Sequence, residues 1–144
     1  MDTESYVRRE NYNHEYCHKL VSINGKNYTL SSEGFVFDYK GKPFNLTKGG
    51  DDYYYIDGVV VDILVAKTFI GAVGSNDVVH HLDHNKHNNT VDNLIIVPKS
   101  DYTEYITNYN MLIDQGKLTD AKLNRLIKKL IKVSRQYNVE DRVI

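Results

Sequence analysis

Two short apolar runs, Val78–His80 and Leu94–Val97, flank a loop crowded with imidazoles, carboxylates and carboxamides. Four of the chain's six histidines fall in His80-His81-Leu-Asp-His84-Asn-Lys-His87, and Asn88, Asn89 and Asn93 follow. This pattern limits the local fold to few choices. The connection is too long for a tight hairpin turn, and so polar a segment must satisfy its groups among themselves or around a ligand. It predicts two antiparallel strands joined by a long loop of the kind on which a scaffold presents functional side chains. Pro98 ends the second strand, because proline has no N–H to give to a ladder. Ser100 then reads as the N-cap of a helix over Asp101–Gln115, with Gly116 as its stop.

The flanking sequence supplies the frame. Leu20–Ile23 and Lys26–Leu30 are alternating runs around Asn24-Gly25, a pair that tolerates positive φ at both positions and so favours a type I′ hairpin. A third strand is expected over Gly34–Asp38, ending at Tyr39–Pro43. A polar turn, Thr47–Asp52, leads into Tyr53–Asp57, and these strands read as one small antiparallel sheet. Val59–Phe69 carries mixed signals: its start is β-branched, while Ile63, Leu64, Ala66 and Phe69 share one helical face. The reading adopted is a helix from about Val61, ended by Gly71. A last helix is expected from Thr119 to about Tyr137. Leu123, Leu126, Ile127, Leu130, Ile131 and Tyr137 form its apolar stripe, opposite Lys122, Arg125, Lys129 and Lys132.

The fold class is therefore α+β: a small antiparallel sheet, a strand–loop–strand–helix unit, and a C-terminal amphipathic helix. The expected partition is an N-terminal arm (1–18), a β-rich module (19–72), the strand–loop–strand–helix unit (73–116) and the basic helix (117–144).

Composition narrows the functional classes. At 144 residues with 41% hydrophobic content the chain can bury a core without covalent staples. Its one cysteine, Cys17, excludes an intrachain disulfide and a CxxC zinc ribbon. The longest apolar run, Val59–Val65, is interrupted by Asp62, so no membrane span is expected. The polar, acidic Met1–Tyr16 does not read as a signal peptide. A soluble cytoplasmic protein is the expectation. The net charge of −1 conceals an asymmetry. Lys117–Arg135 holds seven basic residues against Asp120 alone, and the remainder has eleven basic against eighteen acidic residues. Such a run permits a polyanion-binding face and is equally compatible with a solvated helix surface.

Three readings of the histidine loop compete on residue chemistry. It is a polar loop whose Asp and Asn side chains make turns. It is a zinc site from His80, His84 and His87, or from His14 and His18 with Cys17, although no recognised four-ligand spacing is present. Or it is a nuclease site in which a histidine activates water beside a divalent cation.

The segment Val79-His80-His81-Leu-Asp-His-Asn85-Lys-His-Asn88-Asn89-Thr-Val-Asp-Asn93-Leu94 resembles the HNH motif of phage intron-encoded homing endonucleases, without a gap from His81 to Leu94. Upstream, Leu30-Ser-Ser-Glu-Gly34-Phe-Val is similar to a strand of their nuclease-associated module. Asp62-Ile-Leu-Val-Ala66-Lys-Thr-Phe69-Ile is similar to the helix that follows it.

The resemblance implies a ββα-metal fold and hydrolysis of DNA phosphodiesters with one divalent ion, Mg²⁺ or Mn²⁺ rather than Zn²⁺. It implies His81 as general base, His80 as first metal ligand, and Asn93 as the brace of the loop and of His81. Asp83, Asn85, Asn88 and Asn89 would tie the loop to itself. The family usually has glycine where His84 stands, and an asparagine or histidine ligand where Tyr102 stands. Asp101 is the adjacent carboxylate that could serve instead. DNA is the implied partner, its phosphates met by Lys122, Arg125, Lys128, Lys129 and Lys132. Alternatively, the last helix docks a protein or a second copy. The competing functional class is a catalytically degenerate HNH-fold module that binds DNA or protein.

Overall fold

The computed structural model describes residues 17–140; the expected N-terminal arm up to Tyr16, His14 included, lies outside them. Strands β1 (His18–Ile23) and β2 (Lys26–Ser31) pair antiparallel, with Ile23 opposite Lys26. The turn is left-handed at both Asn24 (φ 52°) and Gly25 (φ 80°), as a type I′ turn requires. Strand β3 (Val36–Phe37) adds to β2. A second sheet is built from β4 (Thr47–Lys48), β5 (Tyr54–Ile56) and β6 (Val59–Val60).

The N-terminal half is thus two three-stranded sheets and not the single sheet expected. The separation has a local cause. Asp38 folds the chain over by accepting the Lys40 and Lys42 N–H groups, and beyond its pairing with Thr29 Phe37 makes an isolated bridge to Pro43, which has no N–H to continue a ladder.

Helix α1 (Val61–Phe69) follows β6 directly and packs Val61 and Val65 on the sheets. Strands β7 (Asp77–His81) and β8 (Leu94–Pro98) form a separate ribbon, entered on the β8 side by a 3₁₀ turn over Val91–Asn93. Helix α2 spans Lys99–Asp114, and α3 spans Asp120–Glu140. The α2 start differs from expectation. Pro98, extended at φ −60° and ψ 144°, is the N-cap position and Ser100 lies inside the first turn. The Lys99 N–H is already held by the Asn76 carbonyl, so helix can begin there. Gly116, at φ 65°, does end α2, and Thr119 caps α3 by accepting the Lys122 N–H at 3.2 Å.

The ribbon divides two cores. One contains Ile23, Leu30, Val36, Ile56, Val61 and Val65 with Val91 and Leu94; the other contains Leu82, Ile95, Val97 and Tyr105 with Ile127, Leu130 and Ile131 of α3. Alternation along a strand explains this: Leu94 and Ile95 point to opposite faces. The apolar stripe of α3 is used inside the molecule, against β8 and α2. No helix among the described residues is long and apolar enough to cross a membrane.

Candidate active site

The same alternation sets the two adjacent histidines back to back. His81 pairs with Leu94 and His80 with Ile95 across the ribbon. Residues directly opposite on antiparallel strands share a face, so His81 faces α1 and the first core while His80 faces α2 and the second.

The loop between the strands is tied by its own polar groups. Asn93 Oδ1 accepts the Asp83 N–H at 3.0 Å, and its Nδ2 donates to Asp83 Oδ1 and to the Asn88 carbonyl, both at 2.9 Å. Asp83 also accepts from the Asn85 N–H (2.8 Å) and from Asn88 Nδ2 (2.9 Å). Desolvation pushes the Asp83 carboxyl up, but the bonds from Asn88, Asn85 and Asn93 prevail and hold it below the usual carboxylate range. His84, where the resembling family has glycine, adopts φ 61°. A non-glycine residue is uncommon in that region. Here the ring is anchored: His84 Nε2 lies 2.7 Å from the Tyr105 hydroxyl, and the ring packs 4.6 Å from that of Tyr109.

His81 is buried among polar neighbours. Its Nε2 lies 2.8 Å from Asn89 Oδ1 and 3.8 Å from Asp62 Oδ2, and the Tyr53 ring is 6.2 Å away. An amide oxygen only accepts, so with Asn89 oriented this way the bond is made by the tautomer that carries its proton on Nε2. Asn89, expected only to tie the loop, is thus the direct partner of the ring, whereas Asn93 holds the loop on which Asn89 rides.

Asn89 itself is held by the upstream module. Val91 N–H donates to the Ser32 carbonyl at 2.8 Å, and Gly34, at φ 87°, leaves the space that Asn89 occupies. Asp62, in the first turn of α1, was not singled out as a site residue in the sequence. Burial raises its pKa, and the His81 ring pulls it the other way.

His80 sits in an aromatic box. Tyr105, His84 and Tyr102 have ring centroids 5.0, 5.2 and 5.5 Å from its own. Its Nε2 is buried without a hydrogen-bond partner, a state that normally costs free energy unless a ligand satisfies the atom. Desolvation, reinforced by His84 and His81, drives its pKa down to about 3, so the ring is neutral and its nitrogen a ready donor to a metal.

Of the two α2 residues considered as second ligand, Tyr102 meets His80. Asp101 instead lines the cleft between α2 and α3 with Glu104, Asn108 and Lys129. The structure does not bring Asp101 and His80 together around one point. Desolvation first, then Asp62, Tyr102 and Asp51, raise the Tyr53 pKa. Among the described residues no three His, Cys, Asp or Glu side chains converge as a metal cage.

On α3, Arg125, Lys128, Lys129 and Lys132 are exposed and Lys122 half-exposed. Lys129 pairs with Glu104 at 3.1 Å.

The depressed His80 pKa has a consequence for stability. The unfolded imidazole titrates near 6.5 and the folded one near 3, so below pH 6.5 the unfolded chain takes up a proton that the native state refuses. Stability is then lost as pH falls from 6.5 towards 3, at up to ~1.4 kcal/mol per unit. In chelator, denaturant unfolding at pH 7.5 and pH 5 is expected to show the wild type losing about 2 kcal/mol more than His80→Gln. Parallel losses would contradict the buried neutral ring.

The sequence model of a family described as HNH endonuclease matches residues 59–103. Among solved structures, the chain is similar to one titled "DNA binding and cleavage by the HNH homing endonuclease I-HmuI", at 27% identity and a TM-score of 0.48. The similarity covers 76% of this chain and 66% of that one, so the chain spans just under two-thirds of that protein's length. No curated protein matches. Residues 59–103 take in α1, the whole ribbon with its loop, and the first turn of α2; that segment is the part of the chain that is similar to the HNH endonuclease family.

Proposed function

We propose that this chain is a divalent-metal-dependent DNA endonuclease, acting in the cytoplasm of a cell that hosts a phage or other mobile element. The observation that carries the reading is the state of the two adjacent imidazoles. His81 is held through Nε2 by Asn89 at 2.8 Å, and His80 keeps a buried nitrogen with no hydrogen-bond partner among the described residues.

In this mechanism His81 Nδ1 accepts a proton from the water that attacks phosphorus, the work of a general base. The unpartnered His80 nitrogen fits one coordination position of a divalent ion, and DNA phosphate oxygens and water would fill the others. An ion held there would supply positive charge to the scissile phosphate and its leaving oxygen. Asn93 fixes the loop, with Asp83, Asn85 and Asn88, and the loop positions Asn89 on His81. The phenol of Tyr102, a poor ligand for a hard cation, flanks His80 at the mouth. Asp101 stands apart from this mouth. An imidazole donor suits Mn²⁺ better than Mg²⁺. Along α3, Lys122, Arg125, Lys128, Lys129 and Lys132 offer charge to the DNA backbone.

A second reading is favoured by one specific observation: Tyr102, Tyr105 and His84 close around His80. A fold that had lost catalysis and kept DNA binding would tolerate such a box. Supercoiled plasmid separates the two. The endonuclease reading expects nicking with Mn²⁺, less with Mg²⁺, and none with EDTA. DNA binding with no cleavage in any of several divalent ions would establish the degenerate module.

A further inference from the structure

Asp62 is 4% exposed and sits among apolar residues of α1: Val61, Val65 and Ala66 are all buried. A carboxylate is a costly choice at such a position unless something nearby requires it. The first turn of a helix eases the cost, because the macrodipole and the free N–H groups there favour negative charge. Around it stand the His81 ring, with Nε2 at 3.8 Å, and three groups that give no cation: Asp51, Tyr53 and Tyr55. Besides the backbone N–H of Ile63, which donates to it, the imidazole is the one group acting on it that can carry positive charge.

His81, in turn, needs more than Asn89. A carboxamide presents oxygen at one end and NH₂ at the other. Turned over, Asn89 would donate to Nε2 and move the ring's proton to Nδ1, the nitrogen that the proposed reaction needs bare. A carboxylate has no such ambiguity: it only accepts.

We propose that Asp62 is the positioning residue of His81, its acceptor-only carboxylate holding the ring's proton on Nε2 and so keeping the Nδ1 lone pair turned to the attacking water. The role rests on the reading of His81 as general base. The carboxylate touches neither water nor phosphate in this scheme and works through the ring and the orientation of Asn89.

Ring ¹⁵N chemical shifts of His81 in the metal-free, full-length protein read the tautomer directly. The wild type is expected to show protonated Nε2 and bare Nδ1. Asp62→Asn, which keeps the shape and removes the charge, should give a mixture of both tautomers. Asn89→Ala, which leaves Asp62 in place, should retain Nε2–H. An unchanged ring in Asp62→Asn, or Nδ1–H in Asn89→Ala, would overturn the assignment, and the second variant decides it even where the first fails to fold.

Kinetics supply the coupling. Asp62→Asn should lower kcat about 10-fold with KM for DNA little changed, part of the range that a general base commands. In a His81→Ala background the same substitution should change the residual rate by less than about 2-fold. Equal losses in both backgrounds would mean that Asp62 acts on the fold and not through His81. A wild type that does not cleave DNA would defeat the nuclease reading alone, since the tautomer measurement stands without activity.

Discussion

Replacing His81 by alanine is expected to slow metal-dependent cleavage of duplex DNA by about 10²–10⁴-fold, the usual contribution of a positioned acid–base group, while affinity for DNA stays nearly constant. The expectation follows from the ring's setting. Asn89 at 2.8 Å and Asp62 at 3.8 Å hold one nitrogen and leave the other without a protein partner among the described residues. The groups proposed to meet phosphate lie elsewhere, on α3 and beside His80. Removing the ring also strands Asp62 in the interior, so the variant should be less stable, and rates belong well below its melting temperature. Single-turnover cleavage with an electrophoretic binding control makes the comparison. Equal cleavage by both proteins would assign the activity to a contaminant or to another base.

Gly34→Ala is expected to destabilise the protein strongly for the addition of a single methyl group. A Cβ at Gly34 would lie 2.7 Å from Asn89 Cβ and 2.9 Å from the Asn89 carbonyl oxygen, and the φ of 87° is itself costly for alanine. Left-handed backbone costs about 1–2 kcal/mol, and overpacking typically about 1–3 kcal/mol more. The total of about 2–5 kcal/mol would lower Tm by on the order of 10 °C for a chain of this size. Because the displaced residue is the partner of His81, cleavage should fall even at temperatures where the variant is folded. Calorimetry and cleavage at 15 °C check both parts; unchanged Tm would show that the loop can move away freely.

That contact explains how the halves of the chain act together. The glycine of Leu30–Val36 is read from sequence as one weak sign of a strand, yet its role is to admit a side chain from the histidine loop 55 residues later. The polar density of His80–Asn93 makes the loop legible, and strand alternation makes the opposed faces of His80 and His81 legible. What sequence does not reveal is which partners tertiary packing selects. Nothing local distinguishes Asn89 from Asn88 or Asn93 as the ligand of His81, and Asp62 hides inside an apolar run, where it reads only as an interruption.

Two other departures have visible causes. The pair Asp57-Gly58, left-handed at both positions (φ 47° and 80°), is a hairpin signal of the same kind as Asn24-Gly25. It joins β5 to β6 and completes the second sheet, which the single-sheet expectation lacks. The early start of α2 at Lys99 fixes the helix so that Tyr102, not Asp101, reaches His80. Helix phase cannot be read to one residue from a cap signal such as Ser100 when a proline two residues earlier serves the same boundary.

The account stands or falls on a divalent ion binding beside His80 and within reach of His81. Mn²⁺ added in small steps to labelled protein with duplex DNA tests this through paramagnetic broadening of the histidine ring signals. His80 should broaden first and His81 next, with His18 and His87 still sharp at the same dose. Broadening spread evenly over the four rings, or confined to His18 and His87, would place the ion elsewhere and contradict the proposed centre.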